Sequence, residues 1–151
     1  MVKSVLGIRV FVSSPGDLKE ERALVKRVCE EINVDTGNLL GFYLDPIFWE
    51  THTSSGISGR SQEVITKQIG EYEIYLGLMG FYFGSDTGVA SSGTEEEYND
   101  ALAIWKEQQE LKIQFYFSTS KVDPSSLDLE QYKKVLDFKK RVGAEGTDPA
   151  P

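Results

Sequence analysis

Glu73-Ile-Tyr-Leu-Gly-Leu-Met79 is an almost uninterrupted apolar run of strand length. A parallel strand covered by helices on both faces reads this way, because neither of its alternating sides meets water. Upstream, Val5–Val12 is a second β-branched and aromatic run, and it stops at Ser13-Ser14-Pro15-Gly16-Asp17. The helix after it carries Leu18, Val25, Val28, Cys29 and Ile32 as an apolar stripe. Lys26/Glu30 and Arg27/Glu31 stand at i,i+4 spacing on its charged side. Cys29 on that stripe reads as a buried thiol. A glycine-containing loop, Thr36–Gly41, leads to a strand near Leu44–Trp49, then to a polar loop, Glu50–Arg60, and a helix at about Ser61–Ile69.

Beyond the central run, the loop Gly80–Gly93 precedes a helix from Thr94 with Tyr98, Ala101, Leu102 and Trp105 on one side. A fourth strand spans Ile113–Phe117. A last helix spans about Leu129–Val142, with Asp128 and Gln131 in capping-box positions and Gly143 as its stop. Strand and helix alternate four times, which predicts an α/β fold. Its form is an open parallel sheet of four to five strands with helices on both faces, joined by right-handed crossovers. Residues 1–143 read as one domain. The small, polar tail 144–151 reads as a flexible linker towards a C-terminal domain.

Composition narrows the chemistry. The 151 residues carry a formal net charge of −8, one Cys and one His, with 40% hydrophobic residues. One Cys excludes a disulfide framework, and one Cys with one His leaves no recognisable zinc site. Any triad would have to use His52. No apolar run approaches the ~20 residues of a membrane span, and no signal core opens the chain. The acidic balance disfavours nucleic acid. The expected setting is the cytoplasm, with neither membrane nor nucleic acid as a partner. No Gly-rich phosphate-binding fingerprint is present.

In parallel sheets ligands bind beyond the carboxyl ends of the strands, so the loops there are the candidates. Ser13 and Ser14 precede a helix and offer an anion site. Ser14 with Pro15 and Asp17 also reads simply as an N-cap, a first-turn proline and an acidic third residue. Glu97 stands three residues after Thr94, a capping-box spacing that would account for both residues. Placed at the same edge, its carboxylate would instead orient a ribose hydroxyl or stabilise an oxocarbenium ion. Trp49 is either buried at a strand end or part of the site, and Arg60 is either solvated or a phosphate ligand. In Phe81-Tyr82-Phe83, alternation buries one or two rings and leaves the other as a stacking or partner surface.

The run Val10-Phe-Val-Ser-Ser-x-x-Asp17-Leu-x-x-Glu21-Arg22 resembles the opening of Toll/interleukin-1 receptor (TIR)-like domains at the N-termini of bacterial defence and NTPase-linked proteins. Trp49-Glu-Thr51, Gln68-Ile-Gly-x-Tyr-x-Ile74 and Phe83-Gly84 extend the likeness. So do Ser92-Gly-Thr-Glu-Glu-Glu-Tyr98-x-x-Ala101 and Phe115-Tyr-Phe117. The resemblance implies a flavodoxin-like TIR fold and cleavage of the nicotinamide–ribose bond of NAD, with NAD as substrate and no cofactor or metal.

The family's essential glutamate corresponds to Glu97, and Ser13, Ser14, Trp49, Arg60, Phe83 and Gly84 would shape the nucleotide site. The Glu50–Arg60 loop corresponds to the family's mobile loop, which mediates self-association. A sensor or NTPase domain would follow the tail. The chain departs from relatives at Gly80-Phe-Tyr-Phe-Gly84, where a Trp and a basic residue often stand. Two other classes fit the same residues: a non-catalytic TIR-like oligomerisation module, and a nucleoside deoxyribosyltransferase-like enzyme, which needs a second acidic group.

Overall fold

The computed structural model describes residues 1–48, 70–85 and 92–145. The expected helix at 61–69 lies outside them, as do the Glu50–Arg60 loop, Trp49 and most of the 144–151 tail. The described elements are β1 (Leu6–Ser13), α1 (Lys19–Ile32), β2 (Phe42–Phe48) and β3 (Ile74–Met79). They continue with α2 (Gly93–Gln108), β4 (Lys112–Phe117) and α3 (Leu129–Ala144). Strand limits move by one or two residues from the sequence reading, and α3 runs one residue past Gly143.

All three strand pairings are parallel, in the order β2-β1-β3-β4. This is the order of flavodoxin-like doubly wound sheets, and it reverses between β1 and β3. Right-handed crossovers from β1 leftward and from β3 rightward then put α1 and α2 on opposite faces. Register follows: Phe11 lies beside Tyr75 and Ser13 beside Gly77.

The pleat sends Phe11, Ser13, Tyr75 and Met79 to one face and Val10 and Val12 to the other. On the first face Phe11, Tyr75, Met79 and Phe115 pack with Tyr98, Ala101 and Leu102 of α2 and with Val135, Phe138 and Val142 of α3. Tyr98 is its hub, meeting Phe138 and Phe115 edge-on at centroid distances of 5.3 and 6.0 Å. Such pairs contribute roughly 0.5–1.5 kcal/mol each beyond area burial. The predicted stripe of α2 is therefore the core-facing one.

The stripe of α1 needs correction. Val28 is exposed, and Arg22, one turn after Leu18, takes a buried place on the line Leu18–Val25–Cys29. Cys29 is buried, and burial, assisted by Glu30, pushes its thiol pKa up.

The expected loop Thr36–Gly41 is also largely helical. α1 runs on through a π turn, Asn33–Gly37, and a last turn, Asn38–Leu40, to Gly41 at φ 81°. Asn33 explains the widening, because its amide accepts from Leu44 N–H at 2.7 Å and donates to the Leu44 carbonyl at 2.9 Å. Gly37 lets the Phe42 carbonyl come within 2.6 Å of where a Cβ would stand. Among the described residues no helix is long and apolar enough to cross a membrane.

Candidate functional site

Ser13 ends β1 at the point where the strand order reverses, where a crevice forms at the carboxyl edge. Its neighbour Gly77 carries no side chain, and the Phe115 ring occupies the space beside it. Across this edge the two nearest helix starts differ from what the sequence suggests.

Ser14 does not cap α1. That helix begins at Lys19, its N-cap position is Leu18, and no side chain bonds to its first amides. The backbone turns first, with Leu18 N–H reaching the Pro15 carbonyl at 3.4 Å. Ser14 therefore sits four residues ahead of the cap position, buried at 3% exposure. Thr94 and Glu97 do not form the capping box of α2 either. The N-cap is Ser92, in extended conformation, whose Oγ accepts from Glu95 N–H at 3.1 Å. The cap thus lies two residues earlier than its expected place, and Glu97 is released to the next turn of the helix.

The start of α2 is held from the other side by Gly84 and Gln131. Gly84 has φ 116°, and a Cβ on it would lie 2.9 Å from Ser92 Cβ, so only glycine fits against the cap. Gln131 Oε1 accepts from the amides of Phe83 and Gly84 at 2.9 and 3.1 Å, and its Nε2 donates to the Gly84 carbonyl. Asp128 alone caps α3, and Gln131 serves this turn instead. Phe83 is buried with its ring edge-on to Phe138, Phe81 lies against Tyr132, and Tyr82 is exposed. Phe83 is therefore core, and Tyr82 is the ring left outside.

Among the described residues, five buried polar atoms have no hydrogen-bond partner. They are Ser13 Oγ, Ser14 Oγ, Tyr75 OH, Glu97 Oε1 and Asp100 Oδ2. Folded proteins satisfy nearly all buried polar groups, so the orphaned atoms beside the carboxyl end of β1 mark a place for a ligand or water. Glu97 is only 2% exposed. Burial pushes its carboxyl up to about 8; Ser13 and Arg22 oppose the shift, and Glu96 and Asp100 add to it. The Ser13 hydroxyl approaches both Glu97 and Tyr75 but closes a well-formed bond to neither.

Burial also raises the Tyr75 phenol well above its ordinary value, with Glu97 adding to the effect. Asp100, one turn beyond Glu97, is pushed up to about 6 by partial burial and by Glu96. Tyr72 completes the group. Its phenol is raised first by burial and then by Asp100 and Glu97.

Of the expected site residues, Ser13, Ser14 and Glu97 are brought to this edge, and Gly84 buttresses it. Trp49, Arg60 and His52 lie outside the described residues. Sequence reading missed Arg22, Tyr72, Tyr75 and Asp100. Arg22 carried a signal, since a cation on an apolar helix stripe has to reach something polar. Its guanidinium lies 5.6 Å over the Phe48 ring, and its charge favours the Glu97 anion. Asp100 was legible as one helical turn from Glu97, whereas Tyr75 looked like any core aromatic.

Elsewhere, a shallow groove lined by Val5, Asn33, Val34, Asn38, Phe42 and Tyr43 lies towards the amino ends of β1 and β2. No lining residue named there is a carboxylate or a cation. Among the described residues no group of three His, Cys, Asp or Glu side chains is placed to hold a metal.

A family model described as a domain of unknown function (DUF4062) matches residues 9–148, most of the chain. No curated protein and no solved structure matches it.

Proposed function

The chain belongs to the DUF4062 family, and we propose that it is a TIR-like effector that cleaves the nicotinamide–ribose N-glycosidic bond of NAD. One observation carries this reading. The Glu97 carboxylate, buried and without a partner at Oε1, faces Ser13 at the carboxyl edge instead of turning back to cap its own helix.

The chemistry asks little of the protein. The C–N bond breaks with its electron pair going to the nicotinamide nitrogen, so a pyridinium leaves as a neutral ring. The ribose carbon becomes an oxocarbenium centre, water adds to it, and one proton is released. A carboxylate beside that centre stabilises its positive charge, and in a dry site it does so more strongly than in water. Unliganded, Glu97 holds its proton at neutral pH because ionisation in so buried a place is costly. The cationic nicotinamide ring supplies the missing counter-charge, so the carboxyl gives up its proton to solvent as NAD arrives. Arg22 keeps part of that anion's stabilisation in place beforehand. In this reading the domain acts in bacterial defence, and self-association through the Glu50–Arg60 loop switches it on.

Nicotinamide release from NAD tests the reading, followed at high protein concentration or with a crowding agent for the native chain and Glu97→Gln. Release that disappears in the variant supports it. No release from demonstrably assembled native protein overturns it in favour of the non-catalytic module. A deoxyribosyltransferase-like enzyme, whose chemistry needs a second acid, is the remaining alternative. Base exchange on a 2′-deoxynucleoside would distinguish it.

A further inference from the structure

We infer that Asp100 is a second substrate-facing carboxylate, and that with Glu97 it selects a sugar bearing two adjacent free hydroxyls. The inference rests on the NAD reading and specifies what the site asks of the ribose. Asp100 lies three residues after Glu97 on α2, so the two side chains share one helix face. Each has an oxygen, Oδ2 and Oε1, that is buried and unpartnered. After burial, the charges of both carboxylates raise the Tyr72 phenol.

The orphaned atoms form a mixed set. Two carboxylate oxygens can only accept once ionised, and the hydroxyls of Ser13, Ser14 and Tyr75 can donate as well as accept. An ammonium or guanidinium group would bring donors alone. A vicinal diol brings to each carboxylate one O–H to donate, and to the Ser and Tyr hydroxyls two oxygens that accept. A sugar with a single hydroxyl leaves one buried carboxylate oxygen unmatched, the arrangement that discriminates most strongly against an analogue. The Asp100 position therefore favours a ribose over a deoxyribose.

The test is calorimetric titration of ADP-ribose and of its two analogues lacking one or the other hydroxyl of the terminal ribose diol. Native chain, Asp100→Asn and Glu97→Gln are compared, with folding checked by circular dichroism. The native chain should bind each analogue roughly ten- to a hundredfold more weakly than ADP-ribose. Asp100→Asn should lose discrimination against one analogue and keep it against the other, and Glu97→Gln should do the reverse. Discrimination unchanged in Asp100→Asn, or absent from the native chain, overturns the inference.

If Asp100→Asn fails to fold, a ¹³C-carboxyl aspartate label reads the same contact in native protein. The Asp100 resonance should move with ADP-ribose but not with the analogue lacking its hydroxyl, and an unmoved resonance overturns the inference. NAD cleavage without Asp100-dependent selectivity sinks this inference and spares the NAD reading. Asp100-dependent binding without cleavage does the opposite, and no binding of ADP-ribose sinks both.

Discussion

Two helices start near the carboxyl edge of the sheet, and they solve the problem of their free amides differently. α2 has a conventional start, with Ser92 accepting from Glu95 N–H and the cap wedged against Gly84. α1 has Leu18 at its N-cap and no side-chain bond to its first turn, although two serines stand just ahead of it. In both places the residues that looked like caps are not used as caps. Ser14 lies too far back, and Glu97 lies two residues too far forward. Capping therefore absorbs Ser92, while Ser13, Ser14 and Glu97 stay buried and unspent at the crevice.

The largest expected effect breaks or keeps the special status of Glu97. Glu97→Gln should lower nicotinamide release by about 10²–10⁴-fold with an unchanged far-ultraviolet spectrum. A residual rate near native would return Glu97 to a structural role.

A stability effect of the same variant comes next. The folded carboxyl titrates at about 8 and the unfolded one near 4.5. Between those values the folded state binds more protons, so the stability of the native chain falls as pH rises through this window. Glu97→Gln removes that slope. In urea titrations it should match the native chain at pH 4 and exceed it by about 1–3 kcal/mol at pH 8.5, having lost a buried unpaired charge. Parallel pH profiles for the two proteins would contradict the buried placement.

Smaller effects sharpen the contrast between the two helix starts. Ser92→Ala should cost about 1 kcal/mol, as lost N-caps do, a fall in melting temperature of roughly 2–4 °C for a domain of this size. Ser14→Ala should change stability by less than about 0.5 kcal/mol, because its hydroxyl bonds to nothing in the folded chain. Equal losses for the two would mean that Ser14 does support α1 after all.

Much of the fold was legible because apolar periodicity reports burial directly. Glu73–Met79 reads as a central strand, and the strand observed there, Ile74–Met79, lies between β1 and β4. The Tyr98–Ala101–Leu102 stripe reads as core, and it packs there. Capping reads less well. Ser, Thr and Glu at three-residue spacing recur in the run 92–97, so two registers satisfy the same pattern. Only the contact with Gly84 and the pull of Arg141 on Glu95 choose between them. Arg22 was half legible, as a cation placed on an apolar stripe.

The site's second layer was not legible because its members come from separate segments. Tyr75 is a strand residue with the same local pattern as its apolar neighbours. Its phenol matters only because β3 pairs with β1 and brings it towards Ser13 and Glu97.

Sequence alone determined the parallel α/β class and the buried face of α2, since these follow from local period. Glu97 was singled out by the family resemblance and its expected place at the sheet edge, since its spacing alone read as a capping box. Tertiary structure alone decided that Glu97 is free of its helix cap. It also decided that the charges of Asp100 and, from α1, of Arg22 act on it and that Ser13 approaches it. The reason is physical: a hydrogen bond made or left unmade between distant segments depends on strand register and helix phase, which no short stretch of the chain sets for itself.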